Sequence, residues 1–202
     1  MHKKINSLIP YSYRFLIFSL IYTGALLPQT KTNLQIFYCL ADSSVAQFVF
    51  LCKPLPKIKV EFNNGDIYSV FNNQLLNKLK EKGIEPYLEK NDSLHVLSYT
   101  IEKPLTQYYN IFRDGFLGPL LIKREISFIG NYFYSGSCNK KFSFMYADTI
   151  KIDEIKNLEN ISFKFTIGIL PPEPFFTGLF EPILALGTAA TAIILFFTVR
   201  SK

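Results

Sequence analysis

Few residues of this chain have the type and spacing that chemistry requires. Asp148, Asp153 and Glu154 gather near one turn. Paired carboxylates flanking a glycosidic bond are the machinery of glycan hydrolysis, but charged turn residues serve equally as solvated surface, and that second reading is adopted. Histidine is nearly absent: His2 stands at the chain start and His95 inside an expected strand. Cys39, Cys52 and Cys138 have neither CxxC spacing nor histidine partners, which argues against a zinc site. Cys52 and Cys138 are left as either one disulfide or two free buried thiols. No GxSxG, phosphate-binding loop, HExxH or dinucleotide fingerprint occurs. Catalytic, cofactor and metal residues are therefore assigned to none.

Binding offers more candidates. Lys123-Arg124 and Lys140-Lys141 could face one another on neighbouring strands and receive an acidic partner or lipid headgroups, the alternative being scattered solubilising charge. Residues 108 to 146 hold 11 aromatics, and strand alternation lets only half of them point at one core. Tyr132 and Tyr134 share a strand face opposite Phe133, so that face is either packed in the core or offered to a polypeptide or glycan. The partner-binding candidates are Tyr132, Tyr134, Lys123 and Arg124.

These residues need a scaffold, and the middle of the chain supplies one. KIKVEF at 57 to 62 alternates Ile58, Val60 and Phe62 against Lys57, Lys59 and Glu61, the period of a half-buried strand. After the turn Asn63-Asn64-Gly65-Asp66, the residues Ile67, Val70, Phe71, Leu75 and Leu79 form the stripe of an amphipathic helix, with Asp66 as its expected N-cap and Gly83 as its stop. Short strand Ile84 to Leu88, strand Leu94 to Ile101, a break at Pro104, a hairpin marked by Asp114-Gly115 and Gly118-Pro119, a long strand Leu121 to Tyr134 and KFSFMY follow. A helical turn at Asp153 to Leu158 and an extended ISFKFTIGIL lead to Pro171-Pro172-Glu173-Pro174. The fold class expected is α+β, a mainly antiparallel sheet with one amphipathic helix packed on it.

The run KLKEKGIEPYL, a polar turn and the strand HVLSYTIE, in that order, are similar to the periplasmic domains of the curli-secretion lipoprotein and penicillin-binding-protein activator type, over roughly residues 57 to 146. The closing FEPILALGTAATAIILFFTVRSK resembles the tail of uncharacterised bacterial envelope proteins. Both resemblances imply an envelope location, and neither transfers a catalytic residue.

Hydrophobic residues make up 49% of the 202 residues and charged residues 19%, with mean hydropathy +0.15. That composition excludes a disordered chain and is too apolar for an ordinary soluble domain. The net charge of +6 does not indicate nucleic-acid binding: residues 53 to 174 hold 16 Lys+Arg against 14 Asp+Glu, and the excess sits in Lys3, Lys4, Arg14, Lys31, Arg200 and Lys202 beside apolar runs. From Pro182 to Val199 there are 18 residues without a charge, close to the about 20 that cross a hydrocarbon core of about 30 Å. Pro182 suits the first turn of such a helix. Gly187 with Thr191 has the small-xxx-small spacing that lets membrane helices pack closely.

The start of the chain has the form of an export signal. Basic residues precede FLIFSLIYTGALL, residues 15 to 27, and Thr23-Gly24-Ala25 or Cys39-Leu40-Ala41 would suit a signal peptidase. The greasy segment Asn33 to Cys52 carries Asp42 near its middle and is read as the end of the signal region plus a first buried strand. With basic residues outside both apolar runs, the two ends favour the cytoplasm and the middle is translocated.

The organisation expected is a leader or signal peptide over 1–41, an extracytoplasmic α+β domain over 42–170, a proline-rich linker over 171–174, a transmembrane helix over 175–199 and a basic cytoplasmic tail over 200–202. The function expected is a single-pass, non-catalytic binding or assembly module of the bacterial inner membrane, its partners the lipid bilayer and an envelope protein rather than nucleic acid. The rivals are an envelope hydrolase acting on glycan and a tail-anchored protein with a cytosolic domain.

Overall fold

The Thr32 hydroxyl accepts the Gln35 backbone N–H at 3.2 Å, and the Gln35 side chain accepts the Thr32 N–H at 2.9 Å. This reciprocal cap satisfies two donors that a helix start leaves open, and helix α1 (Asn33–Cys52) runs on from it. The computed structural model describes residues 30–88, 95–115, 118–136, 138–172 and 175–200, and the compact unit they form begins at Lys31. The export-signal run 15 to 27, with its candidate cleavage site at Ala25, lies outside the described residues.

Helix α1 corrects the sequence reading of its segment as a leader end plus a strand. Asn33, Ile36, Phe37, Leu40, Ala41, Ser44, Val45 and Phe48 are its buried side, at the three- and four-residue steps of a helix face. The stripe is hard to see in the sequence because Phe50 and Leu51, both exposed, extend the apolar run around the cylinder. A domain boundary at residue 41 would cut this helix in its middle. Lys53 ends it in the left-handed conformation, with φ 44°, and Pro54 follows.

Strand β1 (Lys57–Phe62) turns Ile58 and Val60 inward as its alternation requires. A 3-10 turn over Asp66–Phe71 then leads into helix α2 (Asn72–Glu81), which buries Leu75 and Leu79. Asp66 is therefore not the cap of α2, and Ile67 is exposed rather than on its stripe. Gly83, at φ 79°, provides the expected stop. Strands β2 (Glu85–Tyr87), β3 (His95–Arg113), β4 (Leu120–Tyr134) and β5 (Cys138–Lys151) complete a five-stranded sheet in the order β2-β1-β3-β4-β5.

The sheet is mixed, not mainly antiparallel: β1 is parallel to both β2 and β3, while β3-β4 and β4-β5 are antiparallel. The helical crossover between β1 and β2 returns the chain in the same direction, which only a parallel pair accepts. Strand β3 also runs through Pro104 instead of breaking there. Beside β1 its pairing covers only His95 to Tyr99, so at Pro104 the strand is bonded on one side, where a missing N–H is tolerated.

Helix α1 packs on β4 and β5 and on α2, so two helices, not one, cover the sheet's inner face. The core gathers Phe37, Phe48, Phe71, Leu97, Tyr99, Phe128, Tyr132 and Phe142, while Tyr108, Ile122, Ile150, Ile155 and Leu158 form a second cluster beside helix α3 (Ile155–Leu158). Glycine is required at position 130, against the first cluster: a Cβ there would lie 2.2 Å from the Thr100 carbonyl oxygen and 2.5 Å from the Phe142 ring. Helix α4 spans Phe175–Arg200 and contains Pro182 in its interior, not in its first turn. Pro182–Val199 is long and apolar enough to cross a membrane and no part of it is buried; α1 passes the same length and composition test yet forms core.

Candidate functional site

In β4 the even-numbered positions from Ile122 to Tyr134 point inward, and that parity carries Arg124 with them. Its side chain is fully buried. Nε donates to Asp148 Oδ1 at 2.8 Å and Nη2 to Asp148 Oδ2 at 2.5 Å, a bidentate pair made across the β4-β5 register. Nη1 donates to the Lys31 carbonyl at 3.0 Å and to Asn33 Oδ1 at 2.7 Å. Asn33 Nδ2 in turn donates to the Tyr108 hydroxyl at 2.9 Å and the Thr166 carbonyl at 2.7 Å, and the Tyr146 hydroxyl reaches Asp148 Oδ2 at 3.3 Å. One guanidinium thus holds the start of α1, two strands and the segment after α3 together.

This arrangement is a brace. Its cation and carboxylate are committed to each other, and removing Asp148 would strand the fully buried Arg124 charge. Burial pushes the Tyr108 phenol up to about 12, with the hydrogen bond from Asn33 opposing that shift. Burial likewise raises Tyr99, whose hydroxyl shares a short hydrogen bond with Ser44 of α1. Asp148 is therefore a structural partner, while Asp153 and Glu154 lie in the 3-10 turn after β5, where Glu154 faces Lys151 at 3.8 Å. Among the described residues no three His, Cys, Asp or Glu side chains converge as a metal site would require.

The partner-binding candidates are distributed differently from expectation. Tyr132 and Tyr134 are buried, their rings edge-on to Phe48 of α1 at 5.3 and 5.7 Å. The tyrosine face is therefore covered by the protein's own helix, and Phe133, 44% exposed, is the aromatic on the open side of β4. Arg124 is inside. Lys123 alone of the four is exposed. Lys140 and Lys141 pair in register with Tyr132 and Asn131 and not with residues 123 and 124, whose partners are Thr149 and Asp148, so the two basic dipeptides do not oppose one another. The parity of β4 was the available signal: Arg124 is in phase with Ile122, Ile126 and Phe128. Asn33 had no such signal, because its segment read as a leader.

Cys52 and Cys138 are joined as a disulfide, Cα to Cα 5.5 Å, linking the end of α1 to the first residue of β5 across 86 positions. Cys39 is free and exposed. Cleavage after Ala41 would strip Ile36 and Phe37 from the core and Asn33 from the brace. Gly187 and Thr191 lie on α4, where the Thr191 hydroxyl donates to the Gly187 carbonyl at 2.8 Å and a Cβ on Gly187 would meet open space.

No protein-family model matches the chain, so none stands behind the resemblance to curli-secretion or penicillin-binding-protein activator domains. No curated protein matches either. Among solved structures the chain is similar to a minor lipoprotein from Acinetobacter baumannii, at 18% identity and TM-score 0.29 over 48% of this chain and 67% of that one. It is also similar to rare lipoprotein B from Shewanella oneidensis, at 10% identity and TM-score 0.33 over 71% of this chain and 96% of that one. Likeness at this level transfers no property to this chain.

Proposed function

We propose that the chain is a membrane-anchored, extracytoplasmic, non-catalytic binding or assembly module of a bacterial envelope, held in the inner membrane by α4. The observation that carries the reading is the unburied, uncharged Pro182–Val199 segment: none of the described residues covers it, and in water such a surface would be exposed at a cost of roughly 25 cal/mol per Å². The Cys52–Cys138 disulfide supports the compartment, because such bonds persist where the surroundings are oxidising and are rare in the cytosol. The basic residues at both ends support the orientation.

The exposed thiol of Cys39 makes the test direct. A membrane-impermeant maleimide applied to spheroplasts should label Cys39 without prior reduction and reach Cys52 and Cys138 only after it. Carbonate-washed membranes should retain the full chain and lose it when residues 175–202 are deleted. Labelling that requires lysis of the spheroplasts would overturn the orientation.

A further inference from the structure

Between α3 and α4 the chain folds into a loop whose own hydrogen bonds turn its apolar residues outward. The Thr166 hydroxyl accepts the Asn160 N–H at 2.9 Å, and the Glu159 carboxylate accepts the Gly168 N–H at 2.9 Å, which brings residues 159–161 beside 166–168. Thr106 donates to the Phe165 carbonyl at 2.9 Å, and Gly168 lies so close to the Tyr108 ring that a Cβ would sit 2.6 Å from it. With these polar groups paired within the loop and against β3, the loop leaves Ile161 at 89% and Ile169 at 90% exposure, with Ile167 and Leu170 also exposed. A groove of about 490 Å³ runs between Ile167, Ile169, Leu170 and the β3 residues Leu105 and Tyr108.

Position tells what covers this patch. Leu170 is five residues from Phe175, the start of α4, a reach of at most about 18 Å. The start of α1 is at the same place, because Asn33 donates to the Thr166 carbonyl. Exposed Lys31 and Lys164 accompany the apolar residues, the composition that favours an interface between headgroups and acyl chains.

We propose that loop 159–172 is a membrane seat: Ile161, Ile167, Ile169 and Leu170 rest in the interfacial layer of the bilayer that α4 crosses, fixing the domain's tilt. The seat rests on the anchor reading above. Phe50, 77% exposed, stands at the far end of α1, about 25 Å along the helix from Asn33 and its contact with the loop.

The chain contains no tryptophan, so single substitutions give clean depth probes. Ile161→Trp, Ile169→Trp, Ile193→Trp and Phe50→Trp are made in the full chain and reconstituted in phosphatidylethanolamine–phosphatidylglycerol vesicles with brominated acyl chains. The Ile161, Ile169 and Ile193 probes should each lose about half their emission or more and the Phe50 probe about a tenth or less, as burial in the interface and core dictates. Quenching at Ile193 alone overturns the seat and leaves the anchor standing. No quenching at Ile193 removes both. Equal quenching at Phe50 shows general adsorption and also overturns the seat.

Discussion

Tyr132 and Tyr134 are neighbours on one face of β4 with opposite polar fates. The Tyr132 hydroxyl is buried without a hydrogen-bond partner among the described residues, whereas the Tyr134 hydroxyl accepts the Leu55 N–H at 3.0 Å. An unsatisfied buried hydroxyl costs about 1–3 kcal/mol and a satisfied one contributes about 1. Tyr132→Phe should therefore raise stability by about 1 kcal/mol and Tyr134→Phe lower it by a similar amount, read from urea midpoints. Replacing both by serine should cost about 3 kcal/mol or more per site, because each ring fills core. Tyr108 sets an alkaline limit. Its folded value of about 12 exceeds the ordinary 10.0, so above the latter the unfolded chain gives up a proton that the fold retains. Stability present at lower pH is thus lost as pH climbs through that window. Tyr108→Phe should flatten part of this fall in midpoints measured against pH, while losing the Asn33 hydrogen bond at every pH.

At the scale of elements, the strands β1 and β4 were legible because alternation is a local property: Ile58 and Val60, or Ile126 and Phe128, declare their face within a few residues. The parallel placement of β1 beside β3 was not, since strand order arises from crossovers that no short window contains. Helix α1 was misread for a physical reason. Its apolar residues extend beyond the buried stripe to Phe50 and Leu51, and its one charged residue, Asp42, is answered by residues of another element: Gln74 donates to it at 2.8 Å and Lys78 approaches to 3.6 Å. Arg124 and Asp148 stood out in the sequence only for other roles, a partner-binding cation and a solvated turn carboxylate, and the brace's anchor on Asn33 depended on recognising α1. The disulfide makes the same connection covalent at the other end of that helix. Closing a loop across 86 positions is worth about 4.6 kcal/mol in chain-entropy models. Cys52→Ser with Cys138→Ser should lower the urea midpoint accordingly, and reductant should have little further effect on that variant while shifting the parent chain to match it.

For the whole molecule, α1 serves as core while meeting the length and hydropathy requirements of a membrane span. On the proposed export route this segment enters the translocation channel ahead of α2 in an unfolded chain, so neither Gln74 nor Lys78 is in place to receive Asp42. A lateral exit into lipid then competes with passage, and the carboxylate biases the outcome toward passage by about 2.5–3.5 kcal/mol at a helix centre. Asp42→Leu should divert a measurable fraction of chains into a form with two embedded helices, detected by Cys39 becoming unreactive to impermeant maleimide while the chain remains membrane-bound. Unchanged Cys39 labelling would show that passage is decided elsewhere. The residue that looks like a modest surface ion pair in the folded protein is, on this account, a sorting instruction written for a moment when the fold does not yet exist.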